Sequence, residues 1–598
     1  MRSATTILEV ISERGKKGLP LERVYRLLFN RDLYLMAYGK LYRNKGALTP
    51  GSTTETVDAM SLAKMDAIIE ALRQERYRWT PVRRIYIEKK HSTKKRPLGL
   101  PTWSDKVLQE VIRLILESYF EPTMSDNSHG FRPRRGCHTA LRQIDRAWLG
   151  TTWYVEGDIR ACFDSLDHHI LLDILAQHIH DGRFLRLIRE LLQAGYLEEW
   201  NYHATLSGAP QGGICSPILS NIYLDKLDQF IERTLIPAYT KGVKRPDNPA
   251  YTTLMNQVAK LRKAGRHTEA SRVRKTAQHL PSRDPNDPDY RRLRYCRYAD
   301  DWILGFIGPK TEAEEIKRRI KAFLQEELKL ELSEEKTLIT HARTQTARFL
   351  NYHISTSHED AYRPKKKRHV NGKVELKMPL DVLRKKCQGY MRNGKPVHRP
   401  ERIHETAFSI VAQFQAEYRG LVEYYQLADN LHRLTYLKWV MEVALTKTLA
   451  RKFQITVPQV YKRYQATLRT GKQPYKGLQV VVPREGKNPL VATWGGIPLK
   501  KRPLAPLHDQ PRRVWNSRTE LEQRLLADTC ELCGSHDRIT VHHIRALKDL
   551  DQYGRREKPR WVKIMAARHR KTLVVCWPCH MSIQYGKPLK KVTSRNSV

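Results

Sequence analysis

The chain has 598 residues, enough for several domains and large buried cores. Lys and Arg outnumber Asp and Glu by 107 to 63, and the resulting formal charge of +44 points to nucleic acid rather than to a merely basic, soluble surface. No apolar stretch reaches the ~18 residues a membrane span needs, and the start "MRSATTILEVISERGKK" lacks a signal-peptide core, so a cytoplasmic protein without a membrane partner is expected.

Residues 1 to about 80 read as helices, split by the polar turn "NKGALTPGSTTET". "VRRIYIEKK" and "KKRPLGLP" flank a basic turn and predict a hairpin. "DKVLQEVIRLILESYFEP" predicts a helix ending near Pro122, "TWYVEGDI" a strand, and the stretch to about 200 further helices. Residues 231–292 look like an insertion, with "KGVKRPDNP" and "LPSRDPNDPDY" as Pro-rich edges around a basic helical middle. "YRRLRYCRYADDWILGF" predicts a second hairpin, followed by the helix "EAEEIKRRIKAFLQEEL". Asn371-Gly372 is a turn signal, residues 401–457 predict a helical bundle, and the tract from 470 to 520 reads as irregular.

The tandem aspartates of "RYADDWILGF" set the chemical question, because two adjacent carboxylates in an apolar run need a reason. Neighbouring strand residues point to opposite faces. At a tight hairpin turn, however, Asp300 and Asp301 reach one site, one directly and one from its edge. Magnesium takes carboxylate and phosphate oxygens, and a two-metal site clamps the attacking and leaving oxygens of phosphoryl transfer. Asp158, at the end of "WYVEGD", is the further carboxylate such a site requires.

Five cysteines (Cys137, Cys162, Cys215, Cys296 and Cys387) are scattered and read as small core hydrophobes in a reducing compartment. The pairs "CELC" (Cys530, Cys533) and "CWPC" (Cys576, Cys579) supply four thiolates, enough for one tetrahedral structural Zn²⁺. The long gap between the pairs contains "TVHHIRALKDL", whose paired histidines a plain zinc ribbon does not explain.

"YADD" follows "GDIRACFDSLDH" and "SGAPQGGICSPILSNIYLDKLD" and precedes "LELSEEKTLIT" and "ARFLNYHI". This succession resembles the reverse transcriptases encoded by group II introns. "RPLGLPTWSDKVLQEVIRLILESYFEP" and "SHGFRPRRGCHTAL" resemble their fingers, "YRGLVEYYQLADNLHRLTYLKWVMEVALTKTLARKF" their thumb and maturase domain, and the C-terminal module their HNH endonuclease.

The resemblance implies an α/β multidomain fold. It comprises a right-hand polymerase with fingers, palm and thumb, an α-helical maturase domain, and a C-terminal zinc-containing ββα-metal HNH module. The expected division is 1–80 for an N-terminal extension and the start of the fingers, and 81–360 for fingers and palm with the 231–292 insertion. Residues 361–470 follow as thumb and maturase, 471–525 as a DNA-binding linker region, and 526–598 as the HNH module with its four-cysteine zinc site.

By resemblance, Asp158, Asp300 and Asp301 hold two Mg²⁺ ions for nucleotidyl transfer. Phe163 is a steric gate packing under deoxyribose, where a core phenylalanine is the plain alternative. Gln211 borders the nascent base pair, while Gly212 and Gly213 admit backbone close to the strand. Arg96 contacts the incoming triphosphate, with Lys89 or Lys90 nearby. Lys336 is either the lysine that protonates pyrophosphate or an exposed residue at a helix–strand junction. In the module His543 is the general base, and His542 and His580 ligate a hydrolytic Mg²⁺ or Mn²⁺. Two departures stand out. Lys571 and Thr572 occupy the region of the family's central Asn, and Gln584 replaces its final His. Either Gln584 serves as a weak oxygen ligand or a water takes its place, or the nuclease is impaired.

The expected partners are intron RNA, target DNA and dNTPs, and the expected activities are reverse transcription, splicing assistance and DNA cleavage in retrohoming. A splicing factor with a dead polymerase is disfavoured by the intact aspartates. A non-intron reverse transcriptase is disfavoured by the maturase-like and HNH-like segments.

Overall fold

Four antiparallel strands organise the centre of the chain, in the order Ile339–His341, Trp153–Asp158, Asp301–Ile307, Arg292–Tyr298. The computed structural model describes residues 3–44, 46–88, 95–205, 207–209, 212–284, 287–358, 372–470, 473–484, 487–503, 520–545, 550, 558–568 and 570–586. Both faces of the sheet are covered, so "WILGFI" is apolar without alternation. Val155, Trp302, Leu304 and Phe306 join the core that reaches the N-terminal helices. Tyr154, Cys296 and Ile303 face the other core, shared with the C-terminal helices. Helices Ser216–Phe230 and Lys310–Glu326 meet through stacked Phe230 and Phe323 rings, 4.2 Å between centroids.

The first hairpin forms as its pattern predicts. Strands Val82–Glu88 and Lys95–Leu100 pair from Arg83↔Leu100 to Glu88↔Lys95, and Tyr196–Glu198 adds a parallel strand at Val82. Thr102 caps the next helix, Trp103–Phe120, its hydroxyl accepting from the Asp105 N–H at 3.3 Å. This helix is buried along almost its whole length, against helices Ala4–Lys16 and Arg31–Leu41. Residues 249–277 hold two helices, Pro249–Lys263 and His267–Ala277, packed on each other with mostly exposed outer faces. Asn371 lies outside the described residues. Gly372 precedes the strand Val374–Lys377, which pairs antiparallel with Tyr352–Thr356.

The tract expected to be irregular from 470 onward contains a sheet up to Trp494. Strands Gln465–Thr470, Gln473–Arg484 and Lys487–Trp494 form an antiparallel meander that crosses the expected boundary at 470. Its prolines hid it, yet Pro483 falls at the bulge between Val482 and Arg484, where an unpaired residue is tolerated. Leu478, Val480, Ala492 and Trp494 are buried, whereas Val481, Val482, Leu490 and Val491 are exposed, the alternation of a half-covered sheet. Helices Ala407–Tyr424 and Leu434–Phe453 cover it. The Trp494 indole N–H donates to Glu442 at 3.0 Å, and the Gln415 amide bonds both backbone groups of Gly495 at 2.9 Å.

The C-terminal module is a two-stranded sheet, Ile539–His543 with Thr572–Cys576, followed by helix Trp577–Tyr585. It docks on the N-terminal region. Ala59 N–H donates to Val541 O at 3.0 Å, and Val541 N–H to Met60 O at 2.9 Å. Among the described residues no helix is long and apolar enough to cross a membrane.

Candidate active site and metal centres

Register brings the three aspartates together. Asp158 ends its strand directly opposite Asp301, and Asp301 starts its own strand after the two-residue turn Ala299-Asp300. Ala299 takes the left-handed conformation (φ 57°) that this tight turn requires. The three carboxylates line one cavity of about 1370 Å³ with Arg96, Phe131, Phe163 and Lys336. Burial, then the carboxylates of Asp300 and Asp158, push the Asp301 carboxyl up to about 7, and burial also raises that of Asp300. Three carboxylates in mutual repulsion are a donor set that fits hard divalent ions.

Lys336 joins this cluster through the backbone. Ser333 N–H donates to Asp158 O at 2.9 Å, and the turn it anchors lets Lys336 Nζ donate to Asp158 Oδ2 at 2.7 Å. That bond and its charge raise the proton affinity of Lys336, whose side chain is otherwise exposed. Phe163 is buried at the cavity wall, its ring 6.4 Å from that of Phe131, which is 53 % exposed. Arg96 is exposed on its hairpin strand. Gly212 has φ 106°, and a Cβ there would stand 2.5 Å from Gly99 O, so only glycine fits against the hairpin. Gly213 follows it. Gln211, Lys89 and Lys90 lie outside the described residues.

Sequence reading missed what holds the turn. Arg297 is 1 % exposed and Asp228 0 %, joined by bonds of 2.8 and 2.6 Å. Arg297 Nη1 also donates to Ala299 O at 2.9 Å, so this pair braces the aspartate turn. From the other side Gly130 abuts it, and a Cβ there would meet Ala299 N at 2.3 Å. Next to it, His129 is buried between Thr139 Oγ1 (2.9 Å) and Gln143 Oε1 (2.6 Å).

Burial lowers the His129 pKa from 6.5 to about 4. The unfolded chain takes up a proton below pH 6.5 and the folded one only near 4, so stability falls as pH falls through this window. From pH 7 to pH 5 the loss is about 2 kcal/mol. A thermal midpoint measured over that range should fall less steeply for His129→Gln. Parallel curves would refute the assignment.

In the module, ligand atoms of Cys530, Cys533, Cys576 and Cys579 lie within 4.8 Å of one another, with Cys533 and Cys576 sulfurs at 3.6 Å. Four thiols so grouped fit one tetrahedral ion. A second group is Asp58, His542 and His580. His580 Nδ1 lies 2.8 Å from Thr540 Oγ1, and its Nε2 lies 3.2 Å from Asp58 Oδ2. His543 Nδ1 lies 3.9 Å from Asp58 Oδ1. The His543 ring packs on Tyr38 and Tyr42, its Nε2 3.3 Å from the Tyr38 hydroxyl. Burial lowers both His542 and His543 to about 4, so each is neutral at pH 7. Lys571 donates to Arg545 O at 3.1 Å, Thr572 Oγ1 accepts from Arg524 at 3.2 Å, and Gln584 is exposed.

Family comparisons match this layout. A reverse transcriptase (RNA-dependent DNA polymerase) model covers residues 87–354, a type II intron maturase model 373–479, and an AI2M/AI1M-like HNH endonuclease model 530–580. The chain is 38 % identical over 606 residues to the group II intron-encoded protein LtrA of Lactococcus lactis subsp. cremoris, covering 98 % of this chain and 99 % of that one. An uncharacterized 91 kDa protein in the cob intron of Schizosaccharomyces pombe is 34 % identical, covering 97 % of this chain and 72 % of its own. Nuclear intron maturase 2, mitochondrial, of Arabidopsis thaliana is 23 % identical, covering 83 % and 74 %. With its reverse transcriptase, maturase and HNH endonuclease domains in one polypeptide, the chain belongs to the group II intron-encoded proteins.

Proposed function

We propose that the central sheet is the palm of an RNA-copying polymerase, with the 82–100 hairpin in its fingers and helices Ala407–Tyr424 and Leu434–Phe453 in its thumb and maturase domain. The observation that carries this reading is Asp158 paired with Asp301, beside Asp300, on one large cavity. These carboxylates would hold Mg²⁺, which supplies the charge that stabilises the attacking and leaving oxygens of nucleotidyl transfer. Arg96 and Lys89 bind the triphosphate of the incoming dNTP, Gln211 and Gly212 border the nascent pair, and Lys336 gives its proton to departing pyrophosphate. The protein binds its intron RNA, promotes splicing, and stays with the lariat. The RNA inserts into one strand of target DNA, the HNH module cuts the other, and the new 3′-hydroxyl primes synthesis. We assign this work to the cytoplasm. The excess positive charge serves all the nucleic-acid partners through phosphate contacts.

Phe163 excludes a 2′-hydroxyl by packing under the sugar. Phe163→Val should raise ribonucleotide incorporation about tenfold or more, a discrimination of at least ~1.4 kcal/mol. Single-nucleotide extension with dNTP and rNTP checks this, and unchanged selectivity would remove the gate.

In the module Cys530, Cys533, Cys576 and Cys579 would hold Zn²⁺, which supplies folding energy. His542 and His580 would ligate the Mg²⁺ or Mn²⁺ of DNA hydrolysis, and His543 takes a proton from water. Cys576→Ser should release about one zinc and unfold the module. His543→Ala should keep the zinc, leave primer extension intact, and lower strand cutting by about 10²–10⁴. Metal analysis with a nicking assay separates the two. A His543→Ala protein that cuts at the wild-type rate would refute the base assignment.

A further inference from the structure

We infer that Asp58, from the N-terminal region, is the third protein ligand of the nuclease metal and takes the place left by Gln584. The inference rests on His542 and His580 as ligands and adds a residue 522 positions before His580. His542 is 8 % exposed, and both its ring nitrogens are buried without a hydrogen-bond partner. A buried imidazole with two unsatisfied nitrogens costs free energy unless something binds it. The Asp58 carboxylate stands where that ligand set needs an anion. Its Oδ1 is 3.6 Å from His542 Nδ1, and its Oδ2 is 3.2 Å from His580 Nε2. Ligands at about 2.1 Å from one ion are separated by about 3.0–3.5 Å, close to these spacings.

The approach of Asp58 is built by the backbone. The paired bonds of Ala59 and Met60 with Val541 fix its position, and His543 N–H donates to Asp58 Oδ1 at 2.8 Å. Thr540 Oγ1 holds His580 Nδ1, which leaves Nε2 for the metal. Gln584, one helical turn beyond His580, is exposed. The nuclease site is therefore composite. It is complete only when the module sits on the N-terminal region, and the same contact sets Tyr38 against His543.

The test uses the full chain carrying Asp300→Ala and Asp301→Ala, so that the polymerase carboxylates do not compete. Mn²⁺ binding is followed by electron paramagnetic resonance, zinc content by metal analysis, and docking by hydrogen exchange at the Val541 amide. Asp58→Asn keeps an oxygen for the His543 N–H and removes the charge, and Asp58→Ala removes both. Each should weaken Mn²⁺ binding at least tenfold, as should His580→Ala, with zinc content unchanged. For Asp58→Asn, Val541 protection should also be retained. Weakening by His580→Ala alone would overturn the role of Asp58 and leave the histidine site standing. Unchanged binding in all three variants would overturn the histidine site as well. Weakening in Asp58→Asn that comes with loss of Val541 protection would make Asp58 a docking clamp and not a ligand.

Discussion

Asp300→Ala should abolish primer extension on an RNA template, lowering its rate by at least 10³, while splicing of the intron continues. Asp300 sits at the tip of a hairpin whose neighbours, Asp158 and Asp301, are already opposite each other. Removing one of three carboxylates would leave a divalent ion held there under-coordinated, and a 10³ loss corresponds to a barrier increase of about 4 kcal/mol. Folding should not suffer. The lost group is one whose ionisation burial already opposes, and its removal relieves repulsion on Asp301. A purified variant that extends a primer at the wild-type rate would overturn the site assignment. A parallel loss of splicing would show that the intron-binding surface reaches the metals.

Breaking the pair beneath that turn should have the largest effect on stability. Asp228 and Arg297 are both buried, and Tyr295 Oη adds a bond to Asp228 at 2.7 Å. Asp228→Asn leaves the guanidinium buried beside an amide, a loss of about 3–5 kcal/mol for one partner of a buried pair. The opening that exposes strand Arg292–Tyr298 becomes cheaper by that amount. Amide exchange there should accelerate by about 10²–10³ or more, and primer extension should fall with it. Exchange within threefold of wild type would show that the pair does not brace the turn.

The aspartate cluster was legible because its signals are local. Asp158 and Asp301 stand at strand ends with Asp300 in the turn between strands, and strand pairing then puts Asp158 against Asp301. Arg297 left a signal too. It shares the strand face of the core residues Leu293 and Tyr295, where a charge needs a partner, and Asp228 lies on the buried face of a helix that reads as mostly apolar. The sheet of 465–494 was hidden by its prolines and glycines: Pro483 falls at a bulge, while Gly477 pairs with Ala466 inside the ladder, where a Cβ would stand 2.4 Å from Trp494 O. Asp58 left none. It lies in a polar turn segment, and only docking of the C-terminal module brings it to His580. His543 shows the same limit, since its burial against Tyr38 comes from a helix near the other end of the chain.

The most direct test of the account is one-nucleotide extension of a DNA primer annealed to intron RNA, by the wild-type protein, with Mg²⁺ varied at fixed dNTP. The account predicts synthesis that requires the divalent ion, rises more steeply than first order at low Mg²⁺ because two ions are needed, and disappears in Asp158→Ala, Asp300→Ala and Asp301→Ala alike. Extension that persists without divalent ions, or in any of those three variants, would contradict it.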